Sequence, residues 1–147
     1  MSGTRELYLG GTAPAPLSDA DGLQAPFWDG LRRGELRIQR CRQCKTWIFA
    51  PEWICHACHG LDLDWECVEP AGRLYSWTRV WRAVSPAMAA HVPYVAAVVE
   101  LPQAGGVRLI GNLLGDAAQP VEIGARVEGV LEHHADFSLL QWRLARP

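Results

Sequence analysis

Cys41-Arg42-Gln43-Cys44 and Cys55-His56-Ala57-Cys58 are two CxxC pairs with ten residues between them, a pattern that brings four thiolates to one tetrahedral metal ion. Each pair forms a knuckle whose backbone amides point at the sulfurs and offset their negative charge. Zn²⁺ suits four soft ligands and needs no redox partner; iron in a rubredoxin-like site uses the same spacing. Two disulfides or four free thiols are the alternatives. Disulfides require an oxidising compartment. Residues 1–11 show neither the basic start nor the apolar run of a secretory leader, so a metal is expected, in a cytoplasmic protein. His56 and His59 lie in and beside the second pair and are spare when four cysteines are present. Four protein ligands leave no position open for water or substrate, so the metal is expected to be structural.

Little else in the chain could act as a nucleophile. A Cys/His pair would need Cys67 with His91, His133 or His134, and nothing places them together. Cys67 alternates with Leu61, Leu63 and Trp65, opposite Asp62, Asp64 and Glu66, and is expected to fill a core. No catalytic residue is assigned. Arg32, Arg33, Arg37, Arg40, Arg42 and Lys45 fall close together, with only Glu35 among them to oppose them. This cluster reads either as a solvated face around an anionic metal–thiolate core or as a patch that meets phosphate.

The 147 residues make one ordinary domain, or a small domain with a metal-stapled appendage, and 49% hydrophobic against 20% charged residues marks a globular chain. A net charge of −2 argues against a general nucleic-acid binder. No apolar run approaches a membrane span. Seven tryptophans are many for this length, and Trp is enriched at interfaces and in ligand clefts.

The elements that must hold these residues follow from periodicity and turn chemistry. Residues 1–21, rich in Gly, Pro, Ala and Ser, are expected to be a flexible arm. Asp21 or Pro26 opens a short helix through Phe27, Trp28 and Leu31 that ends at Gly34. Phe27 and Trp28 are adjacent, so one narrow stripe cannot bury both, and a partner subunit is expected to cover them. Leu36 and Ile38 carry a strand into the first knuckle, and Trp47–Pro51 link the two knuckles. From Gly72 the pattern is wholly β, with strands at Arg73–Val84, Tyr94–Leu101, Val107–Leu114, Ala125–His133 and Ser138–Leu144. Five strands with these turns suit a closed barrel of the OB type. The fold expected is mainly β: the arm (1–21), a short helix with a zinc ribbon (22–68) and a five-stranded OB barrel (69–147).

The order of these features carries a resemblance. A Phe-Trp helix precedes CxxC…CxxC, followed by Gly72-Arg-Leu-Tyr-Ser-Trp-Thr78, Pro93-Tyr94-Val95-Ala96 and Ile123-Gly124-Ala125-Arg126-Val127. Over residues 24–145 the chain is similar to the DUF35 family, a rubredoxin-like zinc ribbon joined to an OB-fold. Lys45 and His59 depart from it, standing where the family's knuckles often carry Gly, at a position of positive φ. The resemblance implies a non-catalytic accessory subunit. Such a chain works beside a thiolase-superfamily acyltransferase or retro-aldol lyase, or beside a MaoC-type enoyl-CoA hydratase, and helps hold an acyl-CoA.

On that reading Arg40, Arg42 and Lys45 are candidate phosphate contacts. Met88 and His91, in the Ser85–Pro93 loop, are candidate contacts for the pantetheine arm or acyl chain. Trp77, expected on one strand face with Tyr75, Arg79 and Trp81, is a candidate for stacking on adenine or for filling the barrel. Phe27, Trp28 and Trp81 are candidate partner contacts. A nucleic-acid module is the competing reading, since zinc ribbons and OB barrels both occur in such proteins. Glu122, Glu128 and Glu132, expected on one strand, oppose it.

Overall fold

The computed structural model describes residues 15–16 and 21–146. The arm expected over residues 1–21 falls almost wholly outside them. Helix α1 spans Ala25–Arg32, with Pro26 in its first turn where a missing N–H costs nothing. It stops at Gly34, whose φ of 86° suits the residue after a helix C-cap. Three short strands follow, β1 (Leu36–Cys41), β2 (Trp47–Ile48) and β3 (Leu63–Val68), in an antiparallel sheet ordered β2-β1-β3. Five longer strands, β4 (Ala71–Val80), β5 (Tyr94–Leu101), β6 (Val107–Leu114), β7 (Arg126–His133) and β8 (Ser138–Leu144), close a barrel ordered β4-β5-β6-β8-β7. Among the described residues, only β6 and β8 pair in parallel. This is the five-stranded barrel that the turn spacing predicts.

One apolar core joins the parts. Phe27 and Leu31 of α1 and Leu36 and Ile38 of β1 are buried in the same cluster as Leu74, Val95, Val99, Leu109, Val127 and Trp142 of the barrel. Each fully buried Leu, Ile or Val contributes roughly 1.5–3 kcal/mol over exposure to water, so burial fastens the ribbon to the barrel. The ribbon's own core is small by comparison: Cys41, Ile48 and Cys55, with Cys58 and Leu63 against them.

Three expectations change. The first barrel strand stops at Val80, because its neighbour β5 begins opposite that residue, at Tyr94; Trp81–Val84 have no strand to pair with and are exposed. A bulge between Leu74 and Ser76 breaks the alternation in β4, so Tyr75 and Trp77 do not share a face. Trp77 pairs with buried Ala97 and packs on the core, while Tyr75 lies exposed under the Arg108 guanidinium. Cys67 is exposed rather than core filler: β3 is an edge strand, and Cys67 pairs with Arg37 on the face of β1 that turns away from Leu36 and Ile38. Leu61, counted with that apolar face, is 74% exposed.

Candidate metal centre and the surfaces around it

The two knuckles are built alike. In the first, the Lys45 N–H bonds Cys41 O and the Cys41 N–H bonds Thr46 O; in the second, the His59 N–H bonds Cys55 O and the Cys55 N–H bonds Gly60 O. Lys45 (φ 66°) and His59 (φ 59°) adopt the left-handed conformation that each tight turn demands. The result gathers four Sγ atoms within 4.8 Å of one another, those of Cys41, Cys44, Cys55 and Cys58. Cys41 and Cys58 are 3.6 Å apart and Cys44 and Cys55 3.5 Å, close to the edge of about 3.8 Å that four Zn–S bonds of tetrahedral geometry require. The donor set fits one zinc ion.

The four sulfurs are not equivalent. Cys41 and Cys55 are buried, Cys58 is half-buried and Cys44 is exposed. The Thr46 hydroxyl lies 3.1 Å from Cys44 Sγ; this contact first, then the Thr46 backbone N–H, brings the Cys44 thiol down to about 6. At Cys58 the Gly60 N–H, 3.4 Å from Sγ, favours the thiolate. Burial and hydrogen bonds with Cys44, Cys41 and Cys55 outweigh it and push Cys58 up to about 12. A zinc ion held by Cys41, Cys44, Cys55 and Cys58 would displace such protons and keep all four sulfurs as thiolates. Residues on each knuckle thus supply amide and hydroxyl contacts that steady ligand charge, and the ion supplies cross-linking. His56 and His59 are exposed and stand apart from the cysteine group, His56 facing Glu52 at 3.7 Å.

The basic cluster has more opposition than the linear sequence suggests, because β3 brings its carboxylates alongside. Arg40 bonds Glu66 at 3.1 Å and the Lys45 carbonyl at 2.9 Å, and stacks over Trp47 at 4.5 Å. Arg42 bonds Asp64 at 2.7 Å and faces Asp62 at 3.8 Å. The Trp65 N–H first, then Arg42, hold the Asp64 carboxyl below the usual carboxylate range. Arg37 pairs with Glu35 at 3.1 Å. Lys45 is exposed and, among the described residues, has no carboxylate partner.

The remaining candidates are spread out. Trp77 is half-buried inside the barrel beside Arg79, while Met88 and His91 are half-buried in the β4–β5 loop. Phe27 is spent within its own chain, against Trp28 at 4.9 Å and Phe49 at 5.5 Å. Trp28 remains half-buried, and Trp81 is 68% exposed. Glu132 does not belong to a solvated acidic face. It is buried, bonds His134 Nε2 at 2.7 Å and accepts from Gln141 Nε2 at 3.1 Å; Glu122 precedes β7 altogether. His133 meets the Ser138 hydroxyl at 2.7 Å. Sequence reading missed a cleft of about 550 Å³ between α1, the Phe49–Pro51 link and the outer wall of β6 and β8, lined by none of the candidate CoA contacts. Its one signal was Ile110, an apolar residue in an outward position of β6.

With the geometry in place, comparison with known proteins settles the family. Residues 28–64 match the ChsH2 rubredoxin-like zinc ribbon domain and residues 65–132 the ChsH2 C-terminal OB-fold domain. A solved structure described as the Ltp2-ChsH2(DUF35) aldolase contains a chain 32% identical to this one, covered over its whole length, with a TM-score of 0.76 over 91% of the present chain. The chain belongs to the DUF35 family. A DUF35 protein of unknown function from Sulfolobus solfataricus, 16% identical, shares the fold with a TM-score of 0.59 over 82% of this chain and 84% of its own. Two curated relatives match most of this chain over part of their own length. A probable enoyl-CoA hydratase alpha subunit of Thermomonospora curvata is 36% identical over 91% of this chain. The 3-oxo-4,17-pregnadiene-20-carboxyl-CoA hydratase alpha subunit of Mycobacterium tuberculosis is 30% identical over 84%. The chain spans about two fifths of the length of these relatives, 40% and 41%.

Proposed function

We propose that this chain is an accessory subunit that assembles with a catalytic partner acting on an acyl-CoA, contributing a zinc-stapled surface rather than a nucleophile. The observation that carries this reading is the full-length correspondence with a chain of the Ltp2-ChsH2(DUF35) aldolase. The organisation of the site supports it. Four of the five cysteines gather at the metal, and Cys67 lies on the ribbon edge while His133 and His134 lie on the barrel and are bonded there. A saturated zinc site offers no open coordination position.

The proposed partner is a thiolase-superfamily enzyme, with Trp28 and Trp81 at the contact and Phe27 supporting Trp28 from beneath. Such amphipathic rings are the usual anchors of protein interfaces. For the CoA ester, Lys45 is the proposed first phosphate contact, because Arg40 and Arg42 already bond carboxylates. Met88 and His91 would meet the pantetheine arm, with Trp77 left to its packing on the barrel core. A hydratase-type partner is the second reading, favoured by the names of the two curated relatives. Co-expression with one candidate of each class, followed by affinity capture through this chain, separates the two. Stable capture of the thiolase-type protein alone is the expected result. Capture of the hydratase-type protein alone moves the chain to the second reading, and capture of neither removes both.

A further inference from the structure

The cleft lies beside α1, over the outer wall of β6 and β8. The ladder between these strands runs at Leu113 with Trp142 and Leu114 with Arg143, and before it the strands stay close, with the Leu140 carbonyl against Gly111. Helix α1 packs across β8, and outward side chains of β6 line the space beside it. Phe27, Trp28, Phe49, Ile110 and Leu139 give this space apolar walls on three sides. Ile110 is 78% exposed, whereas its neighbour Leu109 is buried inside the barrel. A volume of about 550 Å³ is within the range of small-molecule sites, which favour junctions between structural units.

The polar end of the cleft is more specific. Gln141 is fully engaged: its Oε1 accepts the Asn112 backbone N–H at 2.7 Å, and its Nε2 donates to buried Glu132 at 3.1 Å. This network holds the backbone at Asn112 in place. The Asn112 carboxamide itself, half-buried and lining the cleft two residues beyond Ile110, forms no hydrogen bond among the described residues. A carboxamide presents a donor and an acceptor side by side, and an amide is a neutral group that answers both.

We propose that this cleft binds a small apolar molecule carrying an amide, with the apolar part against Trp28, Phe49 and Ile110 and the amide paired with the Asn112 side chain. The cleft shares Trp28 with the proposed partner contact, so its occupancy is read on the chain alone. Its neutral lining distinguishes it from a phosphate site, since Arg108, the one charged residue there, is bonded to Glu100 at 3.1 Å.

The test uses the zinc-loaded full chain and the fluorescence of N-phenyl-1-naphthylamine, displaced by dodecanamide or by methyl dodecanoate, an ester that lacks the donor. Saturable probe binding is expected, with dodecanamide the better competitor by about tenfold, the worth of one added hydrogen bond. Ile110→Glu should weaken probe binding by more than about tenfold, because it sets a carboxylate in the apolar wall. Asn112→Leu should keep the probe and abolish the preference for the amide. Leu61→Glu, on the exposed apolar surface of the ribbon, should change nothing. The proposal is overturned by unsaturable binding, by equal competition from amide and ester, or by loss of the probe in Leu61→Glu in place of Ile110→Glu. It also fails if Ile110→Glu abolishes self-association and leaves the probe signal intact, because the cleft then seats a second copy of the chain.

Discussion

Arg40 and Glu66 face each other across β1 and β3, with Arg40 Nη1 3.2 and 3.1 Å from the two carboxylate oxygens. Trp47 lies under the same guanidinium, and the Lys45 carbonyl accepts its Nε–H. A side chain that belongs by sequence to a run of positive charge is thereby a brace across the ribbon. Arg42 repeats the arrangement one step further on with Asp64.

Charge reversal should expose this bracing. Arg42→Glu places a third carboxylate beside Asp62 and Asp64 and should lower the melting temperature; Arg42→Glu combined with Asp64→Arg should recover most of the loss. Melting of the two single variants, the double variant and the parent at low and moderate salt checks this, and the difference should shrink as salt rises.

For CoA-ester affinity, measured on the assembled complex, the expected order is different. Lys45→Glu should weaken binding more than Arg42→Gln, and Arg42→Gln more than Arg40→Gln. Equal, unchanged affinities in all three would remove the knuckle from the binding site.

Metal removal should act on the ribbon first. The buried core around the cysteines is small, and apparent binding free energies of roughly 10–16 kcal/mol are typical of structural zinc, so chelation should unfold the knuckle segments first, while Leu36 and Ile38 stay in the shared core. Amide exchange should show residues 41–62 losing protection while β4 to β8 retain it. Cys55→Ser, at a buried ligand, should have the same effect without chelator. One zinc per chain by elemental analysis is the matching expectation for the parent.

Thiol chemistry gives a second count. With zinc bound, Cys67 is the exposed cysteine outside the metal group, so one equivalent of a maleimide should react. Chelation in denaturant should raise the number to five. A metal-loaded Cys67→Ser protein should not react.

Gly72 tests the closing of the barrel. A Cβ at this position would meet the Glu100 carbonyl oxygen at 2.5 Å and Val99 Cγ1 at 2.7 Å, across the β4–β5 pairing. Gly72→Ala should cost about 1–3 kcal/mol, and each kcal/mol should lower the melting temperature by about 2–4 °C in a chain of this size.

Much of the architecture was legible in the residue order. The metal quartet follows from covalent spacing, which folding cannot alter, and the positive φ at Lys45 and His59 follows from the turns that the spacing imposes. Strand β5 runs between Pro93 and Pro102 and β6 between Gly106 and Gly115, residues that break a ladder, so their ends were readable to the residue. What escaped depends on neighbours distant in the chain. The end of β4 is set by where β5 begins, and the inward aim of Trp77 by a bulge that no local pattern announces. Cys67 alternates correctly with Trp65, yet its edge strand has nothing to cover it there. Asp64 and Glu66 neutralise Arg42 and Arg40 across 22 and 26 residues of chain, beyond the reach of a local charge count. The cleft at Asn112 is lined from α1, the Phe49–Pro51 link, β6 and β8 together, and only the folded chain brings those segments to one place.

In the proposed function this chain completes a catalytic partner instead of acting alone. The direct test is to measure turnover of an acyl-CoA by the thiolase-type partner captured with it, with and without the zinc-loaded chain, on a size-exclusion column that also reports the mass of the complex. One hetero-oligomeric peak is expected, with activity that needs both components and none from this chain alone. Full activity of the partner by itself, with the two proteins eluting apart, would contradict it.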